Sequence, residues 1–361
     1  MDKKFHSPIP TNAMIKVLIV EDSLTAQILL KRIFAMDGNI EVIGTAKDGL
    51  EALEFMRHHD PDVVTMDLHM PIMDGLEATR QIMETKPVPI LIVSSNWHTE
   101  NKSEAFDYLE AGAVAALEKP QRLDDPTYDD LCKELTQTIK IMAEIKVVRR
   151  FPSQARGRGL KSEGVERHGA RVVVIGASTG GPPVLKTILS GFSANFRLPI
   201  LIVQHISKGF LPGLAEWLDA TSPLAVTIGR QGQQVKPGHV YLAPDGFEMG
   251  VSRPMRIYLS NPTNDIAPCP SVSYLFRSAL VSFGSQSIGI LLSGMGKDGA
   301  EELSLLRRKG AVTIAQDEKT CVIYGMPGAA VKLQGATYVL PPERIAPTVE
   351  RIVSSGLHPK S

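Results

Sequence analysis

Two groups of residues in this sequence have the types and spacing to do chemistry. Glu21 and Asp22 stand directly after one short apolar run, Asp67 after another, Ser94 after a further one and Lys119 after the last of the series. If such runs are parallel strands of one open sheet, their carboxyl ends meet at a single crevice where ligands bind. Three carboxylates collected there repel one another unless a divalent cation joins them. Hard oxygen ligands at that density favour Mg²⁺, which keeps waters and bridges to phosphate. Asp67, with a Lewis acid beside it, could attack a phosphoryl donor as a nucleophile. Lys119 would neutralise the resulting acyl phosphate, and Ser94 could hydrogen-bond a phosphoryl oxygen. Taken singly, each residue has a plainer use: an Asp after a strand often caps a helix, and a lone Lys is mostly solvated. The joint placement at four strand ends favours the chemical reading.

The second group centres on Gly176-Ala177-Ser178-Thr179-Gly180-Gly181, which follows an apolar run and precedes Pro182. This fits G-x-S-x-G, a pattern that holds a serine on a tight strand-to-helix turn. The following helix N-terminus offers N–H groups and positive potential to an oxyanion. Gly-rich turns of this kind also bind phosphates and dinucleotides, but this one does not match G-x-G-x-x-G. A serine nucleophile needs a base, and after Ser178 only His205, His239 and His358 remain. His358 lies in the terminal tail and His239 in a turn-like stretch. His205 ends the run Ile200 to Val203 through Gln204, and it is preferred over His239. For the orienting acid, Asp298 in Ser293-Gly294-Met295-Gly296-Lys297-Asp298-Gly299 fits best, with Asp245 and Asp317 as lesser candidates.

Both groups need α/β scaffolds. Ile15–Val20, Glu41–Ala46, Val63–Met66, Ile90–Val93 and Val114–Leu117 read as buried parallel strands, with a helix at 23–36 whose Leu24, Ile28, Leu29 and Ile33 share a face. Residues 14–121 thus form a five-stranded doubly wound domain. Residues 122–170 comprise a helix at 126–148, with Leu131, Leu135, Ile139 and Met142 on one stripe, and a basic linker. Arg149 to Arg171 holds seven Lys or Arg against two Glu, with four glycines and Pro152. A solvated tether is preferred there over a nucleic-acid patch, because no aromatic ladder accompanies the charge. Residues 171–353 form a second doubly wound, largely parallel α/β domain. Its strands are expected at 171–175, 200–203, 240–243, 256–259, 288–292 and 311–314, and its helices at 182–190, 211–220, 271–283 and 299–308.

A chain of 361 residues suits two domains. Zero net formal charge gives no argument for nucleic acid or anionic membrane. Three widely spaced cysteines form no CxxC pair, which disfavours zinc sites and disulfide frameworks and suits a cytoplasmic setting. Residues 1–13 lack the apolar core of a signal peptide, and no apolar run reaches the ~18 residues of a membrane span.

Glu21-Asp22-Ser23, Met66-Asp67-Leu68-His69-Met70-Pro71-Ile72-Met73-Asp74-Gly75, Val93-Ser94-Ser95 and Glu118-Lys119-Pro120 resemble the signature of response-regulator receiver domains, which are flavodoxin-like. The resemblance implies Asp67 as phosphoacceptor, and Glu21, Asp22, Asp67 and the backbone carbonyl of His69 as Mg²⁺ ligands. Ser94 and Lys119 would sense the phosphoryl group. Ala116 stands where receivers usually have an aromatic residue.

Residues 171 to about 353 resemble the catalytic domain of the CheB chemotaxis methylesterase family. The matching stretches include Gly176–Pro182, Val203-Gln204-His205, Val240–Pro244, Pro270-Ser271-Val272, Ser293–Ala300, Ala315–Glu318 and Tyr324–Pro327. This implies Ser178 as nucleophile, His205 as base, Asp298 as its orienter and the Met295 backbone N–H in the oxyanion hole. No cofactor is implied for the hydrolase. The substrate would be glutamate methyl esters on chemoreceptor cytoplasmic helices, with glutamine deamidation by the same chemistry. The phosphodonor would be a chemotaxis-type sensor histidine kinase, and the unphosphorylated receiver would restrict access to the active site. Departures from the family pattern are Cys269 ahead of Pro270, Ser273 in place of an acid, and Glu302 in place of glycine. Two rival readings are a phospho-controlled hydrolase of another ester and a non-catalytic binding output. A DNA-binding output is disfavoured, since no helix-turn-helix pattern follows the receiver.

Overall fold

The short runs of β-branched and aliphatic residues become strands, and the segments between them become helices. The computed structural model describes residues 14–94, 104–121, 127–144, 169–262 and 268–356. Most of the basic linker expected at 149–171, and His358, lie outside them. Two compact units divide the chain, the first drawn mainly from residues up to 153 and the second mainly from 154 onward.

In the first unit the order is β1 (Ile15–Val20), α1 (Leu24–Ala35), β2 (Ile40–Ala46), α2 (Gly49–His58), β3 (Val63–Met66), α3 (Gly75–Thr85), β4 (Ile90–Ser94), α4 (Glu104–Ala111), β5 (Ala115–Glu118) and α5 (Tyr128–Ala143). The sheet order is β2-β1-β3-β4-β5, with every pair parallel. Side-chain caps start three helices: Ser23 accepts from the Ala26 N–H, Asp48 from Glu51 and Asp74 from Glu77, each satisfying an orphan donor.

The face expected for α1 is corrected. Leu24 and Ile28 are exposed, at 69% and 60%, and the buried stripe is Gln27, Leu30, Ile33 and Phe34. Gln27 breaks the apolar pattern because its Nε2 donates to the Glu21 carbonyl at 2.7 Å, fixing the acidic loop from within. On α5 the expected stripe holds for Leu135, Ile139 and Met142, which are buried.

The second unit comprises β6 (Val172–Ala177), α6 (Gly181–Ser190), β7 (Ile200–Gln204), α7 (Leu211–Thr221), β8 (Ala225–Ile228), β9 (His239–Leu242), β10 (Glu248–Ser252), β11 (Arg256–Ser260), α8 (Val272–Phe283), β12 (Ser287–Leu291), α9 (Ala300–Arg308), β13 (Val312–Gln316), α10 (Met326–Lys332), β14 (Tyr338–Leu340) and α11 (Pro342–Gly356). Seven strands form one wholly parallel sheet in the order β14-β13-β12-β6-β7-β9-β8. The strand expected at 256–259 is not part of it. As β11 it pairs antiparallel with β10 in a separate hairpin, which packs on α8.

From β6 the chain winds one way through β7 and the other way through β12. The switch in winding direction therefore falls between β6 and β12. An open α/β sheet binds ligands in the crevice at the carboxyl ends of such a strand pair. Both strands are buried along their whole length, so the loops leaving them start from fixed positions.

Candidate phosphorylation and hydrolytic sites

In the first unit, parallel pairing of β1 with β3 brings Val20 opposite Met66, so the residues after each strand meet at one edge. Glu21, Asp22 and Asp67 each present a carboxylate oxygen, and these oxygens all lie within 4.8 Å of one another. Lys119 Nζ reaches Glu21 Oε2 at 2.5 Å and Asp67 Oδ2 at 3.1 Å. Burial pushes the Glu21 carboxyl above its usual range, the Lys119 hydrogen bond pulls it back, and the Asp67 charge adds to the rise. Three carboxylates against one ammonium leave a net negative pocket of hard oxygen donors. That donor set fits a divalent cation of the Mg²⁺ type. Ser94 is buried at the end of β4, where its carbonyl accepts the Lys119 N–H. His69 is exposed in the loop after β3, and Ala116 lies on β5 opposite Ile92.

In the second unit, Ser178 stands one residue beyond β6 and His205 one beyond β7. The two strands pair with Ala177 opposite Gln204, and the His205 N–H donates to the Ala177 carbonyl at 2.9 Å. The turn after the serine passes through Gly180 at φ 77°, in the left-handed region where a Cβ is strained. The loop after β12 closes over it: the Ser178 N–H donates to the Ser293 carbonyl at 3.0 Å. A Cβ on Gly294 would lie 2.5 Å from that of Ser178, so only glycine allows the approach. Among the described residues, the N–H groups of Thr179 and Met295 have no protein acceptor. Thr179 follows the serine directly, the position that supplies an oxyanion donor in G-x-S-x-G turns.

His205 Nε2 lies 3.0 Å from Asp298 Oδ2. With Nε2–H donating there, Nδ1 is the ring nitrogen that can take a proton from Ser178. No hydrogen bond joins Ser178 Oγ to His205 among the described residues. Such bonds are commonly long without substrate and tighten in the complex.

Asp298 is held by more than the histidine. Its Oδ2 also accepts the Val272 N–H at 2.7 Å, and its Oδ1 accepts the Ser273 N–H at 2.9 Å and the Ser271 hydroxyl at 3.1 Å. Burial alone would raise its pKa; hydrogen bonds from His205 and Ser273 outweigh this and hold the carboxyl well below the usual carboxylate range. Ser273 Oγ in turn accepts the Gly299 N–H at 2.9 Å. Ser273 therefore pins the Asp298 loop through both its N–H and its hydroxyl.

Sequence reasoning missed two members of this site. Gln204 is buried, and its Nε2 donates to the carbonyls of both Ser178 and His205, at 2.8 Å each. One amide thus ties the candidate nucleophile to the candidate base. A polar residue ending an otherwise apolar strand was the available signal. Replacing Gln204 by Leu removes both bonds, leaving the Ser178 carbonyl with only the Gly181 N–H and the His205 carbonyl without this donor, and loosens the pair. The expected result is a fall in ester-hydrolysis kcat of about 10–100-fold with KM little changed, read from steady-state kinetics. The second missed feature is the N-terminus of α8, for which the Ser-x-Ser spacing of residues 271–273 was the signal.

The other candidates fall elsewhere. His239 begins β9 and so lies at the amino edge of the parallel sheet, opposite to Ser178; its Nδ1 is 3.0 Å from the Pro237 carbonyl. Asp245 accepts the Gly209 N–H at 3.0 Å and ties the loop after β7. Asp317 binds Thr320 within its own turn. Glu302 is buried and pairs with Arg277 of α8. Burial raises the thiols of both Cys269 and Cys321, the latter pushed up to about 12.

Residues 173–349 match the family model of the CheB methylesterase, and residues 17–127 match that of the response regulator receiver domain. A protein-glutamate methylesterase/protein-glutamine glutaminase of Geobacter metallireducens is 50% identical over 92% of this chain and 97% of its own length. Proteins of the same name from Syntrophus aciditrophicus and Nitrosospira multiformis are 46% and 45% identical, over 95% and 94% of this chain and 99% and 98% of theirs. With both domains matched in order and relatives aligned along nearly their full lengths, the chain belongs to the CheB family of response-regulator methylesterases.

Proposed function

We propose that the protein is a phosphorylation-controlled hydrolase that removes methyl esters from glutamates of chemoreceptor cytoplasmic helices and deamidates receptor glutamines by the same route. The observation that carries this reading is the His205–Asp298 pair at the strand edge shared with Ser178. Ser178 Oγ attacks the γ-carbonyl while His205 Nδ1 takes its proton. The N–H groups of Met295 and Thr179 receive the oxyanion. As the C–O bond breaks, His205 returns the proton to the leaving methoxide oxygen, releasing methanol, or to the leaving amide nitrogen, releasing ammonia, when the substrate is glutamine. It then activates the water that frees the glutamate. Asp298 keeps the imidazole in the required tautomer throughout.

Control lies at Asp67. Glu21, Asp22 and Asp67, with the His69 carbonyl, would hold Mg²⁺, which supplies charge neutralisation for phosphoryl transfer when bound. Lys119 and Ser94 meet the phosphoryl group, and the donor is a chemotaxis-type sensor histidine kinase. The protein acts in the cytoplasm, without nucleic acid. No helix among the described residues is long and apolar enough to cross a membrane. Incubation with a small phosphodonor and Mg²⁺ should add one phosphoryl group, seen by intact-protein mass. Asp67→Asn, or chelation of Mg²⁺, should reduce the incorporation to background. Phosphorylation persisting in Asp67→Asn would overturn the assignment.

A further inference from the structure

The first backbone N–H groups of a helix have no partner within it. At α8 the cap residue and the first turn find theirs in two carboxylates and a serine. Val272 and Ser273 donate to Asp298, and Tyr274 donates to Ser271 Oγ at 3.3 Å. Ser271 donates its own N–H to Glu248 Oε2 at 2.8 Å. Glu248 opens β10, is only 8% exposed and has no part in the mechanism above. Ser271 thus joins two acids, with its N–H on Glu248 and its hydroxyl on Asp298.

We propose that Glu248 is a positioning residue of the hydrolase: it anchors the Ser271 turn that holds Asp298, and through Asp298 it fixes the ring of His205. The inference rests on the Ser178–His205–Asp298 reading. The charged and titratable groups acting on Glu248 are Asp298 and His205, and Glu248 itself acts on the Cys269 thiol. Its register partner on β11 is the uncharged Ser260. Burial raises the Glu248 carboxyl and the Asp298 charge adds to the rise, while the Ser271 N–H and a positive His205 oppose it. His205 gains its positive charge on the way to each tetrahedral intermediate, so an Asp298 carboxylate held in place by the Ser271 turn lowers the barrier there.

The test uses the full-length protein with Glu248→Gln, which keeps size and an acceptor for the Ser271 N–H but loses the charge, and Glu248→Leu, which loses both. kcat and KM for ester hydrolysis are measured at constant phosphodonor. Glu248→Leu should lower kcat about tenfold or more with KM unchanged, and Glu248→Gln should restore kcat to within a few-fold of wild type because its amide oxygen still accepts the Ser271 N–H. Wild-type kcat in a folded Glu248→Leu protein, or no rescue by Glu248→Gln, would overturn the proposal while leaving the triad intact. Activity that survives Ser178→Ala would overturn the triad, and this role with it.

Discussion

Ser178→Ala should abolish ester hydrolysis, lowering kcat by roughly four orders of magnitude or more, while the fold and the phosphorylation of Asp67 stay intact. The loss should be this large because no other nucleophile is placed to replace it. Among the candidates, Cys321 is a half-buried thiol whose surroundings push it up to about 12, and Cys269 is also raised by burial, so neither supplies thiolate near neutral pH. The serine sits on a turn whose shape depends on Gly180 and on the close approach of Gly294. Alanine at 178 keeps that turn and removes only the oxygen. Labelling by a fluorophosphonate should vanish in parallel with the activity.

Asp298→Asn should cost about 10³–10⁴ in kcat, although the side chains are nearly isosteric. The carboxylate accepts from His205, Val272, Ser271 and Ser273. An amide has one acceptor oxygen. If that oxygen stays with Ser273 and Ser271, the NH₂ group faces the Val272 N–H and the histidine. Nε2 must then accept, the proton moves to Nδ1, and His205 can no longer take a proton from Ser178.

The same substitution should change the pH dependence of stability. Asp298 has a folded pKa below its unfolded value of 3.8. It therefore contributes stability that is fully present above that value and is lost as pH falls through the folded one. Urea unfolding should show the variant less stable than wild type at neutral pH, with the gap narrowing below about pH 4.

The sequence was most legible where one short-range rule decided the outcome. β1 and β3 read directly because each carries a mostly apolar run buried on both faces, Val17 to Val20 and Val63 to Met66. Ser178 and Asp67 read directly because each follows such a run. Strands with less apolar signal did not declare themselves. β8 is Ala225–Ile228 with alternate residues exposed, and β14 is three partly exposed residues at the sheet edge. α1 misled because two stripes overlap along it, and the buried one contains Gln27, which works for the acidic loop rather than for the core.

Within the hydrolytic site, what the sequence could not show was how distant segments meet. His205, Asp298 and the 271–273 turn are far apart along the chain. Parallel winding around β6 brings the first two to one edge, and α8 enters there with its N-terminus toward the acid. His239, set below His205 because it stands in a turn-like stretch, opens its strand instead of closing it, and that places it at the opposite edge of the sheet.

Methanol release from methylated chemoreceptor membranes, with a small phosphodonor and Mg²⁺ present or absent, tests whether Asp67 governs a Ser178 esterase acting on receptor methyl esters. Wild type, Ser178→Ala and Asp67→Asn are compared. Release should rise with donor in wild type, stay at its basal rate in Asp67→Asn whatever the donor, and be absent in Ser178→Ala. No release from wild type whose Asp67 is demonstrably phosphorylated, or release that ignores the loss of Ser178, would contradict the account.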